Sequence, residues 1–198
     1  MVGVAASNAP RGAILVAGAA GLVAGSMSMA VGEYVSVSSQ RDAEVADIAR
    51  ETAELASDPK GELGELTAIY QSRGLDRKLA LQVAKQLSKK DRLAAHLRDE
   101  LGIHQGNLAQ PFHAAWVSAL SFALFALIPI LALLAAPSDV RLPAVVGTSL
   151  ASLAALGALG ARWGGAPQGK AALRVLVGGA LAMALTALIG KVLGVSAV

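Results

Sequence analysis

The chain has 198 residues, 55% of them hydrophobic and 16% charged, with a formal net charge of +3 and no cysteine. It is too apolar for an ordinary soluble domain, and the lack of thiols excludes disulfides, thiolate zinc sites and iron–sulfur clusters. The basic surplus does not point to nucleic acid. Residues 36–110 hold 11 of the 17 Lys and Arg and 12 of the 14 Asp and Glu, so the charged region is nearly neutral, and Tyr70 as its only Tyr makes no basic aromatic platform.

In chain order, "MVGVAASNAPRG" is too short to span a bilayer and lacks the basic start of a signal peptide. It is expected to be the tail of a helix that begins upstream of Met1. A bilayer core needs about 20 apolar residues of helix, and four segments qualify: Gly12 to Val35, Phe112 to Ala136, Leu142 to Ala161 and Ala171 to Val192. "APSDVRLP" and "RWGGAPQGK" separate the last three as turns. The positive-inside rule puts the Arg162, Lys170 and Arg174 loop and the charged middle in the cytoplasm, with Arg11, Asp139 and Arg141 outside. The fold class is therefore all-α: a polytopic membrane helix bundle with a cytoplasmic helical domain inserted between two membrane helices. The expected divisions are 1–35, 36–110 and 111–198.

The first span is rich in small residues, and Gly21-x-x-x-Gly25 fits both a helix-dimer contact and close packing within the chain. Met27 and Met29 sit two apart and point to different faces. Met29 lies one turn before Glu33, an acid near the membrane interface.

The second half of this segment carries no helix breaker before Leu55. Glu44, Asp47, Glu51 and Glu54 recur at spacings that stack them on one helix face, with Val45, Ile48, Thr52 and Leu55 as the adjacent packing face. Asp58 followed by Pro59 predicts a helix start, and Gly74 the end of that helix. Leu63, Leu66, Ile69 and Tyr70 give it an apolar face, while Glu62 and Glu65 form a second acid pair. Asp76 is placed to cap a third helix packed through Leu79, Val83 and Leu87, and Asp91 to Leu101, closed by Gly102, reads as a fourth. His96 and Glu100 stand one turn apart on it. Like charges at this spacing cost about 0.2–0.5 kcal/mol per pair, which a divalent cation would relieve; a solvated face with Arg41, Arg50 and Lys60 as local partners is the alternative. Carboxylates with one imidazole suit Fe(II), Mn(II) or Zn(II). No set of nucleophile, base and orienter, and no phosphate loop, marks an enzyme.

"AGLVAGSMSMAVGEYVSVSSQRDAEVADIARE", "ELTAIYQSRGL", "RDELGI" and "QPFHAAWVSALSFALFALIPIL" closely resemble the vacuolar iron transporter family over nearly the whole chain. The resemblance implies a dimeric, proton-coupled exporter of ferrous iron, often also of manganese, with no prosthetic group. The family's glutamate pairs match Glu51 with Glu54 and Glu62 with Glu65, a further glutamate matches Glu100, and its pore methionine matches Met29. Two methionine positions of the plant member read His96 and Leu97, of which His96 can ligate. A pore carboxylate of that member falls on Gly21, and the family's first-helix Asp lies before the start of this chain. The implied partners are a second copy, the lipid bilayer, divalent ions and protons, with no nucleic acid. The sequence more closely resembles the short prokaryotic members than the plant ones, which implies a bacterial cytoplasmic membrane. A non-transporting metal buffer or sensor, or an inactive truncated transporter, is the alternative.

Overall fold

A computed structural model of the chain describes residues 1–7, 9–137 and 139–195. Ser138, in the predicted "APSDVRLP" turn, lies outside the described residues. The described residues form seven α-helices and one short 3-10 turn at Gln105–Asn107. The helices are α1 Val2–Ala6, α2 Arg11–Ser57, α3 Pro59–Ser72, α4 Arg77–Asp99, α5 Pro111–Ala135, α6 Arg141–Trp163 and α7 Gln168–Val195. They fall into two compact units, one of residues 1–31 with 115–198 and one of residues 32–114. The first 21 residues of α2, Arg11–Val31, belong to one unit and the rest to the other.

The membrane unit contains the apolar part of α2 together with α5, α6 and α7, each long and apolar enough to span a bilayer. At most 17% of the apolar window of any of these is buried within the chain. Most of this apolar surface thus faces outward, as expected of helices solvated by lipid rather than water. A small core of Ile14, Leu133 and Val145 gathers Val2, Val4 and Ala5 of α1 around it. α1 also lies against α7, where a Cβ at Gly3 would stand 2.7 Å from the Thr186 carbonyl oxygen. At Gly25 a Cβ would come 2.5 Å from the Phe122 ring, whereas Gly21 has nothing within 4 Å. Of the two glycines in the small-residue motif, Gly25 is therefore used within the chain.

The charged unit is built on local signals. Asp58 caps α3 by accepting from the Gly61 amide at 2.9 Å, with Pro59 in the first turn. α3 ends in a reverse turn: Gly74 takes φ +98° and donates to the Gln71 carbonyl, while Leu75 donates to that of Tyr70. Asp76 caps α4 through the amides of Lys78 and Leu79. α4 is interrupted at Asp91, whose extended backbone (φ −159°, ψ 100°) starts a new helical segment, capped by its own carboxylate on the Ala94 amide. Gly102, at φ +68°, follows the end of that segment.

α3 and α4 pack through Leu66, Tyr70, Ala80, Ala84 and Ala95, with Leu63, Leu75, Val83 and Leu87 around them. Of the predicted face of α4, Val83 and Leu87 pack at the margin of this core, while Leu79 is 44% exposed and its neighbour Ala80 is fully buried. The small side chains at 80, 84 and 95 permit a close approach of the two helices that leucines would hold apart. Leu66→Ala is accordingly expected to destabilise the charged unit by about 2–5 kcal/mol, and Leu79→Ala by less than about 0.5 kcal/mol. Native-state hydrogen exchange of α3 and α4 amides in the full chain would measure both.

Candidate metal centre

The acid stripe of α2 is not a uniform solvated face. Glu44 is tied to the chain leaving the domain: it accepts from the Ala109 amide at 2.9 Å, next to the Arg41 guanidinium, which donates to the Ala109 carbonyl at 2.9 Å. Asp47 pairs with Arg50. Glu54 is exposed and Glu51 is 2% exposed, facing the interior beside Leu55. Val45 and Thr52, expected to pack, are exposed. The face that turns inward thus runs through Glu44, Ile48, Glu51 and Leu55, so it contains part of the acid stripe itself.

Glu51 meets Glu62 from the first turn of α3 and His96 and Glu100 from the end of α4. One donor atom from each of the four residues lies within 4.8 Å of the other three. The centre of the group is His96 Nδ1, which stands 2.9 Å from Glu51 Oε1, 3.2 Å from Glu100 Oε2 and 3.5 Å from Glu62 Oε2. His96 is wholly buried, Glu62 nearly so, and Glu100 opens to solvent. A single ring nitrogen carries at most one proton, so it can serve only one of three acceptors. Glu51 Oε1 and Glu62 Oε2 are correspondingly buried without a hydrogen-bond partner among the described residues. An ion with bonds of about 2.1 Å needs donors no more than about 4.2 Å apart, so a contraction of a few tenths of an ångström would close this set around a cation.

The electrostatics agree with that geometry. Burial, then the negative charge of Glu100, pushes the Glu51 carboxyl up from 4.5 to about 7, with Glu62 and Glu54 adding to the rise against the opposing pull of His96. Glu62 is raised for the same reason, burial first and the Glu65 charge second. Glu54 and Glu65 are exposed and lie outside the group of four, yet their charge acts on it. Met29 belongs to the membrane unit, 46% exposed, and lines an apolar cavity of about 650 Å³ with Met183, Phe122 and Ser152.

A clamp that no spacing rule identified holds the α4 end of the site. Asp99 accepts from the Tyr70 hydroxyl at 2.6 Å and from Arg73 at 2.7 Å, and pairs with its neighbour Arg98. The Arg73 guanidinium also sits 5.5 Å from the centre of the Tyr70 ring. These charge-assisted bonds, the Arg98 one above all, hold the Asp99 carboxyl well below the usual carboxylate range. Since Asp99 lies between His96 and Glu100, the clamp sets their register against α3.

A sequence model of the VIT family covers residues 1–191. A vacuolar iron transporter of Acanthamoeba castellanii is 49% identical over 191 residues, covering 96% of this chain and 73% of that protein. The chain belongs to the vacuolar iron transporter family. Among other relatives of this family member, vacuolar iron transporter homolog 1 of rice is 37% identical across all of this chain and 68% of its own length. The soybean VIT-like transporter 1b is 34% identical across all of this chain and 69% of its own length.

The raised carboxyls fix the sign of a pH dependence. A group whose folded pKa lies above its unfolded value favours folding at low pH, and that contribution is lost as pH rises through the folded pKa. The metal-free charged unit is therefore expected to lose stability between about pH 4.5 and 7. Its affinity for Mn(II) should rise over the same window, as the metal displaces protons. Hydrogen exchange with and without Mn(II), repeated with Glu51→Gln, would measure both: the variant is expected to flatten the stability profile and to weaken Mn(II) binding.

Proposed function

We propose that this family member is a proton-coupled transporter that exports Fe(II), Mn(II) or both from the cytoplasm. The observation that carries this reading is the convergence of three carboxylate oxygens on one buried imidazole nitrogen. Such a set has excess negative charge and too few protons to satisfy it, and its oxygen-rich composition favours borderline or hard divalent ions over Cu(I). The names of the iron-transporter relatives supply the ion class. Glu51, Glu62, His96 and Glu100 collect the ion, while Glu54 and Glu65 contribute charge around them. Met29 offers a soft thioether in the membrane unit. Zn(II) would fit the same ligands as a tightly held competitor.

The chemistry of the collecting site supports proton coupling. With the Glu51 carboxyl raised to about 7, proton and metal compete near neutral pH, so a proton gradient can drive release. The protein works as a homodimer in this reading, with Gly21 left free for a helix-to-helix contact, and resides in a bacterial cytoplasmic membrane with the charged unit on the inner side.

The test is Mn(II) and Fe(II) flux in sealed vesicles with an imposed pH gradient, beside a Glu51→Gln, Glu62→Gln double variant. Gradient-dependent flux that drops by about 10–100-fold in the folded variant is the expected result. Metal binding without flux at any gradient would overturn transport and leave a membrane metal buffer.

A further inference from the structure

The charged unit also holds a cavity of opposite polarity, and His96 forms part of its wall. A cavity of about 300 Å³ is bounded by Pro59 and Leu63 of α3 and by Lys85, Gln86, Ser88, Lys89, Arg92 and His96 of α4. Its wall carries three cations, an amide, a hydroxyl and an imidazole, but no carboxylate. Lys85 and Lys89 are one turn apart, a like-charge pair that an isolated helix disfavours. Neither lysine nor Arg92 makes an ion pair among the described residues, although acids are abundant elsewhere in the domain. The break at Asp91 separates the two lysines from the segment that bears Arg92 and His96.

The second observation concerns His96 itself. His96 Nδ1 is taken up by the carboxylates, so the polar atom left on the opposite edge of the ring is Nε2. That nitrogen is buried and has no hydrogen-bond partner among the described residues. A metal-ligating histidine ordinarily donates from its other nitrogen to an acceptor that fixes tautomer and ring orientation. Here no acceptor among the described residues fills that role, and the cavity that His96 helps to line carries three cations.

We propose that this cavity binds a phosphate-type oxyanion, held by Lys85, Lys89 and Arg92 and accepting a hydrogen bond from His96 Nε2–H. Donation from Nε2–H to the bound oxyanion leaves Nδ1 free to hold a cation together with Glu51, Glu62 and Glu100. Oxyanion and divalent cation then bind on opposite edges of one ring, and each strengthens the other by the same factor. This coupling rests on the metal-collecting reading above; the oxyanion site itself does not.

The experiment is calorimetric titration of inorganic phosphate, without metal, into the full chain in a zwitterionic detergent, against chloride at matched ionic strength. Saturable binding is expected, weakened at least about tenfold in a Lys85→Gln, Lys89→Gln, Arg92→Gln variant. A Glu51→Gln, Glu62→Gln variant should retain it. A parallel arm uses vesicles with and without a lipid that carries a terminal phosphate. Binding in that arm alone, lost in the triple variant, assigns the same site to a headgroup instead of the free ion. Phosphate should also raise Mn(II) affinity of the wild-type chain by about fivefold or more, and leave that of the triple variant unchanged. Equal phosphate binding by wild type and triple variant, or none in either arm, would overturn the site. Failure of Mn(II) to bind the wild-type chain at all, with phosphate binding intact, would instead count against the metal-collecting reading.

Discussion

One imidazole nitrogen surrounded by three carboxylate oxygens is an arrangement that a single ring proton cannot complete. His96 Nδ1 has a single site for a proton or a metal, and Glu51, Glu62 and Glu100 all address it. Buried ionised carboxylates are costly without partners, so the group is either partly protonated or holding a cation. Much of the charged unit serves to bring this point into being. The Asp58 cap starts α3 with Glu62 in its first turn. The reverse turn at Gly74 returns the chain so that α4 lies along α3, and the break at Asp91 re-aims its last segment.

That site lies in the same unit as the α3–α4 core, and the two have opposing demands. Leu66, Leu97 and the alanines at 80, 84 and 95 supply burial, while Glu51 and Glu62 subtract from it. The Tyr70, Asp99 and Arg73 clamp offsets part of that cost with hydrogen bonds to a carboxylate that stays ionised. It does so one residue from Glu100, where positional precision matters most for a chelating group. Two acids of similar appearance in sequence, Asp99 and Glu100, therefore have unlike roles: one is committed to structure, the other left open to solvent and to a ligand.

In the membrane unit the constraint is different. Helices that bury so little of their apolar windows against one another are held by close backbone approach rather than by a water-driven core. Gly3 against Thr186 and Gly25 against Phe122 are examples of that approach. Pro129 within α5 leaves the Phe125 carbonyl without its helical donor, at the wall of the cavity that Met29 also lines. Serines 118, 121, 149 and 152 border the same space, so a polar lining interrupts an otherwise apolar interior.

Local signals were sufficient for the elements. The four apolar runs, the Asp58–Pro59 start, the Asp76 cap and the glycines at 74 and 102 could be read in advance, because capping and positive φ depend on atoms within about five residues of one another. Carboxylates three or four apart mark a helix face wherever that helix lies, so spacing could pick out the acids by type, while the family resemblance was what singled out Glu51, Glu54, Glu62, Glu65, Glu100 and Met29 as candidate ligands. What spacing could not decide was which of them converge. Glu51 turns inward while Glu54 stays in solvent, and Ala80 is buried in place of Leu79, because burial depends on the direction from which a distant helix approaches. The partners of Asp99, the commitment of Glu44 to the Ala109 amide and the two unlike edges of His96 follow from the same cause. The sequence by itself determined the helices and the chemistry they carry; only tertiary packing, through contacts between residues far apart in the chain, decided which acids share a single point in space.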